Sequence, residues 1–400
     1  MKLQRQTAVV LGILCVGVTF GCNGQGSSPN KTALPTRTTA PVASGTISTP
    51  ATASVSTGTV AAKPASRFAY AVDLNDAVDM FTIDPKTGVP TAGTPVPLAP
   101  ASGGWAITSS HDGKYVYVLL STDIASFSVD PTTGALTQIA GQTITISANA
   151  ITWNIAVDPT NSFVVITDQG ADAVSSFKIG SNGALTNAGS AMAAAGSGLE
   201  DLAFDPTGKF LYSTGNALGN VNCFTMDAQG NLTAASSVMA TAGARPIAID
   251  PAGAVVYVGN ETDMTVAAFT RNATTGALTA VGTPLVASGP VKSLAIDSLG
   301  KNLYAGCDTG SAANAQAAVN MFKIDGKGGV TPGSTPSTPS GGFPLGLSID
   351  NSGTFAFDAN YGDGTVSAFK IDPVTGIAST NGNAVPAPNA GVIHGLTVVK

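Results

Sequence analysis

Arg245-Pro-Ile-Ala-Ile-Asp-Pro-Ala-Gly253, followed by Val255-Val-Tyr257-Val-Gly-Asn260, Thr265-Val-Ala-Ala-Phe269 and Thr275-Gly-Ala-Leu-Thr279, is one full copy of a unit that recurs along the chain. Its apolar runs are short and rich in β-branched and aromatic side chains, which is strand composition. Asp-Pro-x-Gly and Thr-Gly separate them. Pro fixes φ, Asp bonds to nearby backbone and Gly accepts positive φ, so both strings suit tight turns. Working outward, the terminal Phe of the third run recurs at Phe81, Phe127, Phe177, Phe224, Phe269, Phe322 and Phe369, seven copies at a mean spacing of 48 residues.

Four strands in each such interval is the spacing of a propeller blade. A solenoid unit is shorter, and a helical repeat would carry a 3.6-residue period. The reading is therefore all-β: a seven-bladed β-propeller with four-stranded blades over residues 67–400. The first copy starts at Phe68-Ala-Tyr70 without an initial strand, whereas Gly395-Leu-Thr-Val-Val399 has that strand's pattern. The C-terminal strand is expected to join the N-terminal blade, closing the ring and covering its exposed edges.

The remaining residues carry other instructions. Residues 1–21 read as a signal peptide of the lipoprotein type, with Lys2 and Arg5 ahead of an apolar stretch from Thr7 to Phe20. That stretch is shorter than the roughly 20 residues of a membrane span. Thr19-Phe20-Gly21-Cys22 resembles a bacterial lipobox, with Thr19 in the place usually held by Leu, so Cys22 is the expected lipidation site and simple secretion the alternative. Asn23 after the cysteine points to the outer membrane or cell surface, with a periplasmic or secreted protein as alternatives. Residues 22–66, nearly all Ser, Thr, Pro, Ala, Gly and Asn, read as a disordered tether.

Charged residues are 10% of the chain, against about 25% in typical soluble domains. Without Lys2 and Arg5 the net charge is −8, from 16 basic and 24 acidic residues. Such a balance argues against nucleic-acid binding and leaves the lipid anchor as the expected membrane contact. A monomer is expected. Cys223 and Cys307 lie in different repeats and read as buried small apolar side chains in preference to a disulfide. No Cys/His cluster has zinc spacing and no Gly-rich string precedes a helix, so neither metal nor cofactor is expected. His111, in Ser110-His-Asp-Gly113, reads as a solvated turn residue on the face opposite the candidate site.

That candidate site comes from reading one position in every repeat, five residues before the Asp that ends the first strand. The position gives Trp105, Trp153, Glu200, Arg245, Lys292, Leu345 and, in the closing strand, His394. Both Trp of the chain fall in this frame, with one each of its scarce Glu, Arg and His residues. If the first strand is innermost, these side chains ring one mouth of the central channel. The loop after the second strand opens on the same face and brings Asp168, Asn260, Glu261, Asp308, Asn360 and Tyr361. Aromatic faces with a few convergent charges describe a small-molecule site. Trp plugs and plain ion pairs are the structural alternative.

The blade strings Phe204-Asp-Pro-Thr-Gly-Lys-Phe-Leu-Tyr212 and Val366-Ser-Ala-Phe-Lys-Ile-Asp-Pro-Val-Thr-Gly376 resemble those of the lactonase family of seven-bladed propellers, across residues 67–400. Catalytic members of that family carry Gly-Pro-Arg-His ahead of a first strand and Asn-Glu after the second. The matching strings here are Gly243-Ala-Arg245-Pro246 and Asn260-Glu261, with Pro246 in the place of the His. The resemblance implies functional roles for Arg245 and Glu261 and a carboxylic ester hydrolase acting on a sugar-derived lactone. In that reading Arg245 and Lys292 orient an anionic substrate and stabilise the oxyanion, while Glu200, Glu261 or His394 acts as general base. Trp105, Trp153, Lys292 and Asn260 are the expected ligand-binding residues. The alternative is a non-catalytic surface module that binds a protein or glycan.

Overall fold

A computed structural model of the chain describes residues 65–99, 102–146, 150–308, 317–325, 327–389 and 391–399. The expected signal peptide, Cys22 and nearly all of the tether lie outside these residues. The described residues form seven antiparallel sheets, one per repeat. Innermost strands are Gly104–Ser109, Thr152–Val157, Leu199–Phe204, Ala244–Ile249, Val291–Ile296 and Pro344–Ile349 in blades 2 to 7. Blade 1 takes its innermost strand, Ile393–Val399, from the C-terminus; it pairs with Phe68–Asp73 in the register Phe68↔Val399, Tyr70↔Thr397 and Val72↔Gly395. Each innermost strand touches its counterparts in both neighbouring blades, so the contacts run once round and close. This is the seven-bladed propeller, with the ring joined as the repeats predicted.

Blades adhere through their faces. Seven buried apolar clusters occur among the described residues, one at each interface between blades. Cys223 and Cys307 are buried free thiols, each within such a cluster. Both turn strings do the work expected of them. At the first turn, Asp250 Oδ1 accepts from Val255 N at 2.7 Å, and Asp158, Asp205 and Asp350 do the same in their blades. In the Thr-Gly turn, Gly134 and Gly276 have φ near +73°, and an added Cβ would lie 2.4 Å from Phe68 and Phe210 of the preceding blade. Glycine is required there twice over, for the backbone and for the approach of the neighbouring ring. His111 is an exposed residue of a first turn, its N–H donating to Asn161 Oδ1 at 2.6 Å.

Candidate functional site

An innermost strand with regular pleat would alternate its side chains between the two blade faces. Every one of the seven departs from that pattern at the same place. Pairing with the second strand slips between Gly104 and Ala106, Thr152 and Ile155, Leu199 and Leu202, Ala244 and Ile247, Val291 and Ser293, Pro344 and Gly346, and Ile393 and Gly395. The residues spanned by these bulges include Trp105, Trp153, Glu200, Arg245, Lys292, Leu345 and His394, the whole predicted frame. A bulge twists the strand locally and re-aims a side chain. All seven line one cavity of about 270 Å³ at the channel mouth, with Asn154, Asp201 and Pro246 among the residues one step further along.

The cavity has a charged half and an aromatic half. Arg245 Nη1 donates to Glu261 Oε2 at 2.9 Å, and Lys292 Nζ donates to Glu261 Oε1. Arg245 Nε lies 2.9 Å from Glu200 Oε2, but off the line a hydrogen bond requires. On the other half, Trp105 meets Trp153 at 5.7 Å and His394 at 4.9 Å, and His394 meets Tyr361 at 4.8 Å. Two cation–ring contacts join the halves. The Arg245 guanidinium lies 5.1 Å from the centre of Trp153, and Lys292 Nζ lies 4.4 Å from that of Phe343. Phe343 in turn meets Tyr361 at 5.5 Å. The contacts therefore circle the mouth without a break.

Environment separates the two glutamates. Burial pushes Glu200 up to about 7, a rise that Arg245 only partly offsets and that the Glu261 charge reinforces. Glu261 is more exposed and accepts aligned hydrogen bonds from both cations. Burial pulls its carboxyl upward too, but Lys292 and Arg245 outweigh that and hold it below the usual range. One carboxylate is a fixed counter-ion; the other is poised to exchange a proton near neutrality. Burial, aided by the Arg245 charge, lowers His394 to about 4, so its imidazole is neutral at physiological pH. Beside Glu200, Asp201 is raised to about 6 by burial, although it accepts from the Ile247 and Leu202 amides.

Of the residues expected at the site, Trp105, Trp153, Glu200, Arg245, Lys292 and His394 converge on the cavity, and Glu261 reaches the two cations from the loop after the second strand. Asn260 is not among the residues that line the cavity. It is fully buried, and its Nδ2 donates to Thr265 Oγ1 at 3.0 Å inside its own hairpin, as Asn360 does to Thr365 at 2.9 Å. The repeated Asn is hairpin chemistry, because Asn260 and Glu261 are consecutive and only the second faces the mouth. Asp168 likewise accepts from the Ile151 and Ala171 amides of its own blade. Sequence reading missed Phe343, which stands two places before the frame, where three blades have Gly103, Gly198 and Gly243 and three have Ile151, Pro290 and Val392, so that the sequence gives no signal for it.

A family profile described as "Lactonase, 7-bladed beta-propeller" matches residues 152–244, 238–294 and 288–387. No curated protein matches the sequence. Among solved structures, a candidate 6-phosphogluconolactonase from Bacteroides fragilis is 18% identical with a TM-score of 0.71, covering 85% of this chain and 99% of that one. Another from Bacteroides uniformis is 18% identical with a TM-score of 0.70, covering 84% and 100%. The periplasmic gluconolactonase of Pseudomonas aeruginosa is 16% identical with a TM-score of 0.69, covering 83% and 99%.

Proposed function

Because the chain belongs to the lactonase family of seven-bladed β-propellers, we propose that it hydrolyses a small sugar-derived lactone at the mouth of its central channel. The observation that carries this is the frame of bulged residues, which sets a proton-exchanging carboxyl and two cations across a cavity from two Trp faces. The cavity volume, about 270 Å³, suits a single sugar ring; drug-sized ligand sites run from about 300 to 1,000 Å³. Sugar C–H faces stack on Trp105 and Trp153 and turn the ester carbonyl toward Arg245 and Lys292. Ionised Glu200 takes a proton from water as its oxygen attacks the carbonyl carbon. The two cations stabilise the oxyanion, and Glu261 holds them in place. The ring C–O bond then breaks, and the proton on Glu200 passes to the departing alkoxide, giving the hydroxy acid. His394 closes the aromatic half as a neutral ring.

Two cations facing two carboxylates leave little uncompensated positive charge. That balance favours an unphosphorylated lactone over a phosphorylated one. In this reading the propeller works outside the cytoplasm, as a lipoprotein held through Cys22 at the outer membrane or cell surface. The rival reading is a propeller that binds a glycan or protein without turnover, and Pro246 in the place of the family's His favours it. Hydrolysis of glucono-δ-lactone and 6-phosphogluconolactone by wild type and Glu200→Gln separates the readings. Turnover of the neutral lactone, lost in the variant with folding intact, supports the enzyme. An inert wild type across a panel of lactones supports the binding module.

A further inference from the structure

We propose that Phe343 is a positioning residue, whose ring is held in a strained backbone conformation in order to fix the Lys292 ammonium at the channel mouth. Phe343 has φ +57°. Among the described residues only Met264 shares that left-handed region without being Gly, Asn or Asp. A bulky L-residue rarely holds it, because Cβ crowds its own backbone.

Comparison between blades shows that the conformation recurs where glycine stands at this position, whereas Ile151, Pro290 and Val392 accept the equivalent backbone hydrogen bond without positive φ, so that Phe343 alone combines the left-handed backbone with a side chain. Phe343 O accepts from Tyr361 N at 2.9 Å, as Gly198 O accepts from Asn216 N and Gly243 O from Glu261 N in blades 4 and 5. Both glycines have positive φ. A Cβ added there would stand 3.0 Å from the Ala217 Cβ or 2.5 Å from Thr262. In blade 7 the facing residue is Gly362, whose own Cβ would come within 3.4 Å of Phe343 Cβ and 3.0 Å of Gly342 O. Blade 7 has moved the glycine to the other side of the contact. That exchange makes room for a side chain at residue 343 but leaves the φ strain in place.

What the strain secures is the ring. Lys292 has a buried four-carbon stem with its side chain 4% exposed, and its ammonium ends between Glu261 and the face of Phe343. One carboxylate fixes a distance and leaves the ammonium free to swing about it. A ring face on the second side removes that freedom and attracts the charge. A leucine or methionine at 343 would carry the same strain with no such contact.

The role of Lys292 as an oxyanion ligand rests on the proposed function, so the test reads the ammonium directly. In protein labelled with 13C-lysine, the Lys292 side-chain resonance, assigned through Lys292→Arg, is expected to be displaced by the ring current. It should return to the position of ordinary lysines in Phe343→Gly and Phe343→Leu and stay displaced in Phe343→Tyr. Phe343→Gly is expected to melt above Phe343→Ala, which isolates the backbone strain from loss of the ring. Met264→Gly relieves the comparable strain and should leave the Lys292 resonance unmoved. Where a lactone is turned over, Phe343→Gly should lower kcat about tenfold with KM little changed, and Phe343→Tyr should restore it. An unmoved Lys292 resonance in both ring-less variants overturns the proposal, as does Phe343→Ala melting above Phe343→Gly. An inert wild type strikes the functional reading alone, since the resonance and melting arms stand without turnover.

Discussion

The innermost strand of blade 5, Ala244–Ile249, has Arg245 at one end and is followed by Asp250 at the other, and the two ends obey different rules. At the Asp250 end five blades agree. Asp158, Asp205, Asp250 and Asp350 each accept from the amide five residues on, and Ser110 Oγ does the same for Tyr115 N in blade 2. At the Arg245 end the backbone agrees, with a bulge in every blade, but the side chains are Trp, Trp, Glu, Arg, Lys, Leu and His. Folding needs similar turns in the six blades whose first and second strands are consecutive. It does not need six kinds of side chain around one opening. In a repeat protein, a position that keeps its geometry and varies its chemistry is where binding is to be sought.

The comparison breaks first, and most severely, at the mouth. Arg245→Ala removes an oxyanion donor and one partner of Glu261, and loss of one such donor typically costs about 10²–10³-fold in kcat. Lactone hydrolysis should fall by that order while the melting temperature stays near wild type, because the guanidinium faces the cavity and not a blade interface. A large fall in melting temperature with proportionate loss of activity would make Arg245 a structural ion-pair residue. Between pH 5 and 9 the wild-type rate should rise with a midpoint near 7, since the base is ionised Glu200, and Glu200→Gln should abolish the rise.

The stability profile sharpens the same point with an acid that has no place at the mouth. Asp358 is fully buried between blades, Ser340 Oγ donates to its Oδ2 at 3.1 Å, and its Oδ1 has no hydrogen-bond partner. Burial raises its pKa from 3.8 to about 7, and burial likewise raises Asp79 to about 6. A carboxyl whose folded value is raised contributes stability that is complete below its unfolded pKa and is lost as pH climbs to the folded value. The melting temperature should therefore fall between about pH 4 and 7 from these groups and level above it. Asp358→Asn removes the ionisable group at nearly the same volume and should recover on the order of 1–3 kcal/mol at pH 8, less at pH 5 and little below about pH 4. A variant no more stable at pH 8 would mean that water already solvates the carboxylate.

Much of this was legible in the residues. Phe81 to Phe369 counted the blades, the missing strand before Phe68 and the spare one after Gly395 closed the ring, and one frame read down the repeats collected the cavity wall. What was not legible follows from geometry. Asn260 and Glu261 look alike as polar loop residues, and only the hairpin decides that Asn260 turns inward to Thr265. The bulges leave no mark in hydrophobic pattern, because the innermost strands are short and already mixed in character. Phe343 reads as an ordinary apolar residue until its φ is known and Gly362 is seen opposite it. The order of the pKa values of Glu200 and Glu261 depends on the deeper burial of the first and on the aligned hydrogen bonds from Lys292 and Arg245 to the second, which no sequence carries.

At the turn face effects should be smaller and silent in catalysis. Asp250→Ala leaves the Val255 amide without its acceptor and should cost about 1 kcal/mol, with kcat/KM unchanged although Arg245 lies in the same strand. A change in kcat/KM would show that the two ends of the strand are coupled.

The smallest effect tests the rule from within the repeating part. Tyr70, Tyr212 and Tyr304 donate from Oη to the carbonyls of Gly134, Gly276 and Gly376 in the next blade at 2.6, 2.7 and 2.6 Å. Tyr117 and Tyr257 hold the equivalent place, yet their buried hydroxyls have no hydrogen-bond partner. The reason lies in the turn opposite. Gly134, Gly276 and Gly376 close on a carbonyl four residues back, at Asp130, Asn272 and Asp372, whereas Gly183 and Gly328 close on one three residues back, at Gly180 and Asp325. One residue fewer draws the carbonyl out of reach of the phenol. A made hydrogen bond contributes about 1 kcal/mol, while an unsatisfied buried hydroxyl costs stability. Tyr304→Phe should therefore lower the melting temperature, by under about 2 °C for a domain of this size, whereas Tyr257→Phe should leave it unchanged or raise it. Equal losses in both would mean that the ring contributes and the hydroxyl does not, and turn length would no longer account for which blades are latched.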